Sequence, residues 1–120
     1  MSAALIRELA SLPGMASIEA GATVHGTEQQ RCTSIRFSLA RSAQAWASLE
    51  LLSGVCSALC FGGDQLSVTP RTKAPDLDLD SDCFCFELTC SWRASNAQSP
   101  LERLARALSL AMEQPWYCAA

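Results

Sequence analysis

Apolar and polar residues alternate most strictly between Cys83 and Trp92, in the run CFCFELTCSW. Successive side chains of a β-strand point to opposite faces of the sheet, so this period of two predicts a strand with one buried face. The face that we assign to the core carries Phe84, Phe86, Leu88, Cys90 and Trp92. The other face is polar apart from two thiols, and it carries Cys83, Cys85, Glu87, Thr89 and Ser91.

Three further segments with shorter or weaker alternation predict the remaining strands. Two of them, about Ala16–Val24 and about Cys32–Leu39, flank a polar loop at Gly26–Arg31 and are predicted to form a hairpin. The third covers Gln65–Thr69 and is followed by a proline. This short strand precedes the strongly alternating one along the chain, so the two are predicted to form a second hairpin.

Three segments show apolar residues at helical spacing. The first covers Ser2–Leu12, and the second covers about Ser42–Phe61. The third opens with Ser-Pro-Leu-Glu at 99–102, a capping sequence, and ends before Pro115. In the second helix, Gly54 suggests a close packing contact, and the predicted buried face consists of Ala45, Trp46, Leu49, Leu52, Cys56, Leu59 and Cys60.

The resulting order is α-ββ-α-ββ-α, which predicts a single α+β domain over residues 1–120. Hairpin connections make neighbouring strands antiparallel, so we expect a four-stranded antiparallel sheet with the helices on one face. The far face of this sheet is expected to expose Glu19, Arg36 and Glu87. The strands and helices are expected to share one core that contains Leu49, Phe84, Phe86, Leu88, Leu104 and Leu108.

The composition narrows the range of partners. Charged residues make up 18% of the chain, below the usual share of about a quarter, and the net charge is −3. Nucleic acid is therefore not expected, because its binding needs clustered Lys and Arg. No apolar run approaches the ~20 residues of a membrane span, and Arg7 and Glu8 interrupt any signal sequence, so we expect a cytoplasmic protein without a membrane contact. So little charge favours an apolar surface that a partner covers.

Seven cysteines is a high and odd number for a chain without a signal sequence, so we expect reduced thiols rather than disulfides. Four of them suggest zinc at first, namely Cys56 and Cys60 on the second helix and Cys83 and Cys85 on the last strand. The two pairs are predicted to lie on opposite sides of the sheet, which separates them. We therefore expect metal-free thiols that mostly fill core, and no cofactor.

An acidic ladder precedes the last strand. Asp76, Asp78, Asp80 and Asp82 alternate with other residues, and Glu87 stands twelfth from the first of them, a spacing that resembles the EF-hand calcium loop. The glycine that this loop needs is replaced by a serine, and prolines and a strand flank the ladder in place of two helices. An exposed acidic turn is the preferred interpretation, with a calcium site as the alternative.

The chain offers one candidate for thiol catalysis. His25 is the single histidine, and Cys32 lies across the predicted loop from it, so the two side chains could meet as a nucleophile and a base. No residue is apparent that would orient the imidazole, and no glycine-rich turn accompanies either residue. The candidate is therefore weak, and an enzyme is the less expected outcome.

Two functional hypotheses follow. The favoured one is a non-catalytic protein-interaction module, a homodimer or a partner-bound protein, that uses the open sheet face or the aromatic pair Trp116 and Tyr117 near the C-terminus. Its element order resembles two groups of small dimeric α+β proteins, the type III secretion chaperones and the roadblock-type adaptors, which would imply an adaptor or chaperone role. The alternative is a small ligand-binding domain or thiol enzyme with a pocket between helices and sheet.

Overall fold

The computed structural model describes residues 3–20, 24–27, 30–60, 63–71, 83–93 and 100–113. The predicted α+β class and the order α-ββ-α-ββ-α are confirmed. In chain order, the elements are α1 Ala3–Ala10, β1 Met15–Ala20, β2 Val24–Thr27, β3 Gln30–Ala40, α2 Ala43–Ala58, β4 Gln65–Pro70, β5 Cys83–Arg93 and α3 Pro100–Met112.

The antiparallel sheet is four strands wide and has the order β1-β3-β5-β4, with β2 beside β3 as a continuation of the β1 edge. Each hairpin pairs as predicted, β1 with β3 and β4 with β5. The centre of the sheet is the β3–β5 ladder, which runs without a break from Gln30 opposite Arg93 to Ala40 opposite Cys83. Because β3 and β4 are both antiparallel to β5, they run parallel to each other, and α2 connects them across the intervening strand.

The segment predicted as one strand over Ala16–Val24 is divided in the structure. β1 and β2 both pair with β3, and the register shifts between Met15 and Ser17 and again between His25 and Thr27. The first shift lets Met15 and Ile18 both pack against the core, although an unbroken alternation would place them on opposite faces. The alternation of this segment was too weak to reveal the irregularities.

The core lies between the three helices and one face of the sheet. Phe86, Leu88, Leu104 and Leu108 are buried, and Leu49 and Phe84 are half-buried against them, which confirms the predicted core set. α3 inserts its leucine stripe here, and the buried Leu5 and Leu9 of α1 join the same cluster. No helix among the described residues is long and apolar enough to cross a membrane.

The burial of side chains along α2 and just after it differs from the prediction at Trp46 and Cys60. Its buried residues are Ala45, Ser48, Leu51, Leu52 and Cys56, whereas Trp46 is half-exposed and Cys60 is exposed. Gly54 does not mark a contact within the chain, because a side chain there would find nothing within 4 Å among the described residues. The rest of the predicted inner face is confirmed, because Ala45, Leu52 and Cys56 are buried and Leu49 and Leu59 pack against the core.

Two contacts near the start of α2 fix this orientation. The Ser48 hydroxyl donates to the Pro13 carbonyl over 2.8 Å. Gly14, at φ +85°, allows such a close approach that a Cβ on it would lie 2.6 Å from the Ala45 Cβ. The Ser42 side chain accepts from the Ala45 N–H and caps the helix. The turn before β1 therefore clamps the first turns of α2 to the sheet.

Candidate interaction surfaces

The solvent face of α2 is the most apolar exposed helix surface in the described structure. We define this face by the exposed residues of the helix, which are Ala43, Gln44, Trp46, Glu50, Gly54, Ser57 and Ala58. Glu50 is the only charged residue among the 16 residues of the helix. A helix that is apolar on every side is normally buried on every side. α2 is buried on one side only, and no described residue covers its other side.

An aromatic cluster stands at the start of this face. The rings of Trp46 and Phe84 lie 5.4 Å apart between centroids and are tilted by 50°. The guanidinium carbon of Arg41 lies 4.6 Å from the centre of the Phe84 ring, which is cation–π geometry. Trp46 keeps 50% of its surface exposed. Tryptophan and arginine are enriched among the residues that dominate binding energy in protein interfaces.

The open face of the sheet, which points away from the helices, carries mostly small polar side chains. Serines, threonines and cysteines supply most of its positions, and their partial burial comes from neighbours within the sheet. The hydroxyls of Ser17 on β1 and Ser38 on β3 are 2.6 Å apart and share a hydrogen bond. Where its side chains are small, this face lets another polypeptide approach the backbone closely.

Charges cross the open face in one row. Glu19 on β1 stands opposite Arg36 on β3, which stands opposite Glu87 on β5. The Glu87 carboxylate accepts contacts from Arg36 at 3.7 Å and from Arg71 at 3.6 Å, so two cations share one anion. Glu19 makes no ion pair with a described residue. Both arginines therefore contact Glu87 on β5, and neither forms an ion pair with the Glu19 carboxylate at the β1 edge.

A groove of about 430 Å³ lies on the open face beside β1. Its walls include Ser17 and Glu19 from β1, Arg36 from β3, and Cys83 and Cys85 from β5. It lies on the far side of the sheet from the helices, whereas the alternative hypothesis from the sequence asks for a pocket between helices and sheet.

The buried thiols are poor nucleophiles and poor ligands. Burial, helped by the neighbouring Cys60, raises the pKa of Cys56 to about 12. Burial also raises the pKa of Cys90 to about 12, with smaller contributions from Asp64 and the surrounding thiols. Since the thiolate is the reactive and metal-binding form, both groups stay protonated near neutral pH.

The predicted placement of the thiols is confirmed for Cys56, Cys83 and Cys85, and it is wrong for Cys60, which is exposed. Cys56 belongs to the core, whereas Cys83 and Cys85 are half-buried on the open face, so the sheet separates them. Cys60 follows α2, and its sulfur donates to the Leu66 carbonyl at 3.2 Å and accepts from the Leu66 N–H at 3.3 Å. No group of three or more His, Cys, Asp or Glu among the described residues is arranged to hold a metal ion.

The described strands do not pair the candidate thiol directly with the candidate base. The β2–β3 register sets Cys32 opposite Val24 and His25 opposite Arg31, so Cys32 and His25 are not direct cross-strand partners. Glu87 lies in the extended strand β5 and engages two arginines. The remaining candidates, Asp76, Asp78, Asp80, Asp82, Trp116 and Tyr117, lie outside the described residues.

One ion pair joins the end of α2 to α3. The carboxylate of Asp64, only 3% exposed, binds the guanidinium of Arg103 on α3. Asp64 follows Gly63, which adopts a positive φ of +90° in the turn before β4. This pair fastens α3 to the α2–β4 turn and has the character of a structural tie rather than of a reactive site.

Sequence reasoning missed Trp46 and Arg41 as surface residues. The signal that would have found them is the near absence of charge around α2, since an apolar helix with no distinct polar side cannot be oriented by periodicity alone. The comparisons with known proteins add no further lead: no protein-family model, no characterised protein and no solved structure matches the chain.

Proposed function

We propose that this chain is a non-catalytic protein-interaction module that forms a homodimer through the solvent face of α2. The observation that carries the proposal is the half-exposed Trp46 on a helix with a single charge among 16 residues. Leaving this face in water forgoes the burial of a large aromatic side chain, which favours association. A second copy of the chain offers the same face, as the self-complementary interface of a two-fold dimer requires.

The dimensions of α2 suit such an interface. A helix of 16 residues is about 24 Å long, and stable interfaces bury more than about 1,000 Å² in total. Ala43, Ala58 and the open Gly54 allow two helices to approach closely, and Trp46 with Arg41 and Phe84 supplies an anchor beside them. The buried face of the same helix is clamped to the sheet, so the surface presented to a partner is rigid.

The biological role that fits best is that of an adaptor or of a secretion-chaperone-like protein in the cytoplasm. The element order α-ββ-α-ββ-α resembles that of the two groups of dimeric proteins named in the sequence analysis, and the net charge of −3 agrees with a small acidic partner-binding protein. The high pKa values of the buried thiols support a role without chemistry.

Molar mass in solution tests the proposal. We expect light scattering at micromolar concentrations to give the mass of a dimer, and Trp46→Glu to give the mass of a folded monomer. Leu110→Glu is the matched control, because Leu110 on α3 is 57% exposed and receives the same substitution outside α2.

A wild-type monomer, or a Trp46→Glu variant that remains dimeric, would contradict the proposed interface. Loss of the dimer in Leu110→Glu alone would move the interface to α3. Native mass spectrometry of the same samples tests the alternative hypothesis from the sequence, since a retained small molecule would favour a ligand-binding domain.

A further inference from the structure

The two edges of the sheet differ in their readiness to accept another strand. In β4, the Arg71 N–H donates to the Cys85 carbonyl over 2.8 Å, which fixes the alternation of this ladder. Residues 65, 67 and 69 then face β5, and Leu66, Val68 and Pro70 turn their backbone groups outward. The Cys60 sulfur accepts from the Leu66 N–H and contacts the Leu66 carbonyl, and Pro70 has no N–H to offer. Of these three residues, only Val68 has both an outward N–H and an outward carbonyl that no described residue contacts.

Among the described residues, no side-chain contact and no proline blocks the backbone of the β1 edge. The Ala40 N–H donates to the Gly14 carbonyl over 2.8 Å, so the even-numbered residues of β3 face β1. Ser17 and Glu19 therefore pair with Ser38 and Arg36, and the backbone of Ile18 faces outward between them. Within the described part of the chain, no strand pairs with this outer side of β1. Unpaired strand edges are templates for the addition of another strand.

A site for side chains adjoins this edge. The groove of about 430 Å³ begins at Ala16, Ser17 and Glu19 of β1, on the open face. A strand added beside β1 would direct every second side chain onto the open face, next to this groove. The Glu19 carboxylate stands at the rim without an ion pair among the described residues, because Arg36 and Arg71 are engaged with Glu87. The edge therefore favours a cationic side chain.

We propose that the β1 edge and the adjoining groove bind an extended segment of a partner polypeptide that carries a basic residue opposite Glu19. The segment adds to the sheet as a new strand on the outer side of β1, with backbone hydrogen bonds to Ile18. Its basic side chain extends the charge row Glu19–Arg36–Glu87. This inference deepens the proposed interaction function by naming the kind of partner, but it uses a surface separate from α2.

A short synthetic peptide with threonine and valine in alternation and one central lysine tests this inference. We expect saturable binding, followed by fluorescence anisotropy, with amide chemical-shift changes concentrated in β1 and β3. The same peptide with a central glutamate should bind about threefold to tenfold more weakly, the range of a cross-strand charge pair.

Charge reversal in the protein makes the test specific. Glu19→Lys should invert the preference, so that the glutamate peptide binds more tightly than the lysine peptide. Glu113→Lys, the same change at an exposed position at the end of α3, should leave the preference unaltered. No saturable binding, shifts confined to β4 or α2, or an unchanged preference in Glu19→Lys would each overturn the inference.

The two proposals fail in different measurements. Trp46→Glu protein should still bind the lysine peptide even when it is a monomer. Absence of peptide binding in both the wild-type protein and the Trp46→Glu variant would refute only the site at β1, and a wild-type monomer that does bind the peptide would refute only the dimer. If the β1 edges of two copies paired with each other in the dimer, the monomeric variant would bind the peptide and the dimer would not. The occupant of the β1 edge would then be a second copy of the chain and not a different polypeptide.

Discussion

Helices α2 and α3 cover the same face of the sheet, but they divide apolar and polar residues in different ways. α3 buries Leu101, Leu104 and Leu108, and its exposed side carries Leu110 together with the charged Glu102 and Arg106. α2 buries Leu51 and Leu52 and still exposes Trp46, with Glu50 as its single charge. The exposed side of α3 therefore combines one leucine with charged residues, whereas the exposed side of α2 combines a large aromatic side chain with a single charge. This difference locates the expected partner at α2.

Core truncation should show the largest effect, and it should be equal in the two helices. Leu52 on α2 and Leu104 on α3 are both almost fully buried, so Leu52→Ala and Leu104→Ala should each lower the free energy of unfolding by about 2–5 kcal/mol. Urea unfolding followed by circular dichroism measures both.

Substitutions on the exposed sides of α2 and α3 should then differ in their effects. Trp46→Ala should make the unfolding midpoint less dependent on protein concentration, because it weakens the dimer. Leu110→Ala on α3 serves as the control and should not change that dependence. The comparison fails if Trp46→Ala costs as much as a core truncation at every protein concentration, since Trp46 would then be a core residue.

The clamp at the start of α2 should give the next largest effect. Gly14→Ala places a methyl group 2.6 Å from the Ala45 Cβ and requires φ +85° of a residue with a side chain. We expect a loss of about 2–3 kcal/mol in the free energy of unfolding. Thermal unfolding of this variant in the Trp46→Glu background measures the loss without the contribution of the dimer. A neutral result would show that α2 does not depend on this turn for its position.

Several features of the fold follow from the sequence because they rest on strong local patterns. β5 alternates strictly, and α3 combines a capping sequence with a clear leucine stripe, so both were predicted to within about two residues. The shift between Met15 and Ser17 escaped prediction, because a bulge depends on the partner strand and not on the local pattern. The exposed position of Trp46 was not predicted, because α2 has a single charged residue and its sequence therefore does not mark which side faces solvent.

Alkaline pH should destabilise the protein through thiols on the inner side of α2 and on β5. The pKa values of Cys56 and Cys90 rise from 9.0 to about 12 in the folded chain. Their contribution to stability is complete below pH 9. It is lost as the pH rises toward 12, because the unfolded chain releases these protons first. The slope should be at most about 1.4 kcal/mol per pH unit for each thiol.

Urea unfolding on both sides of pH 9 measures this slope. A Cys56→Ala, Cys90→Ala double variant should flatten it relative to wild type, while other groups that titrate in the same range contribute equally to both proteins. An unchanged slope in the double variant would show that these thiols are not buried as protonated groups.

Gly54→Ala should give the smallest effect, and it tests the open side of α2 directly. A methyl group at Gly54 meets nothing within 4 Å among the described residues, and alanine favours the helix over glycine. In the monomeric Trp46→Glu background, we expect a gain of about 0.5–1 kcal/mol in the free energy of unfolding. Urea unfolding at low protein concentration measures it.

The same substitution in the wild-type dimer should lose this gain or reverse it, because the added methyl group has to fit against the partner's helix where Gly54 allows a close approach. The difference between the two backgrounds is therefore a measure of how tightly the helices pack at this position. An equal gain in both would place Gly54 outside the interface and confine the dimer contact to the Trp46 end of α2. A loss in the monomer would contradict the open position of Gly54 and, with it, the contrast between α2 and α3.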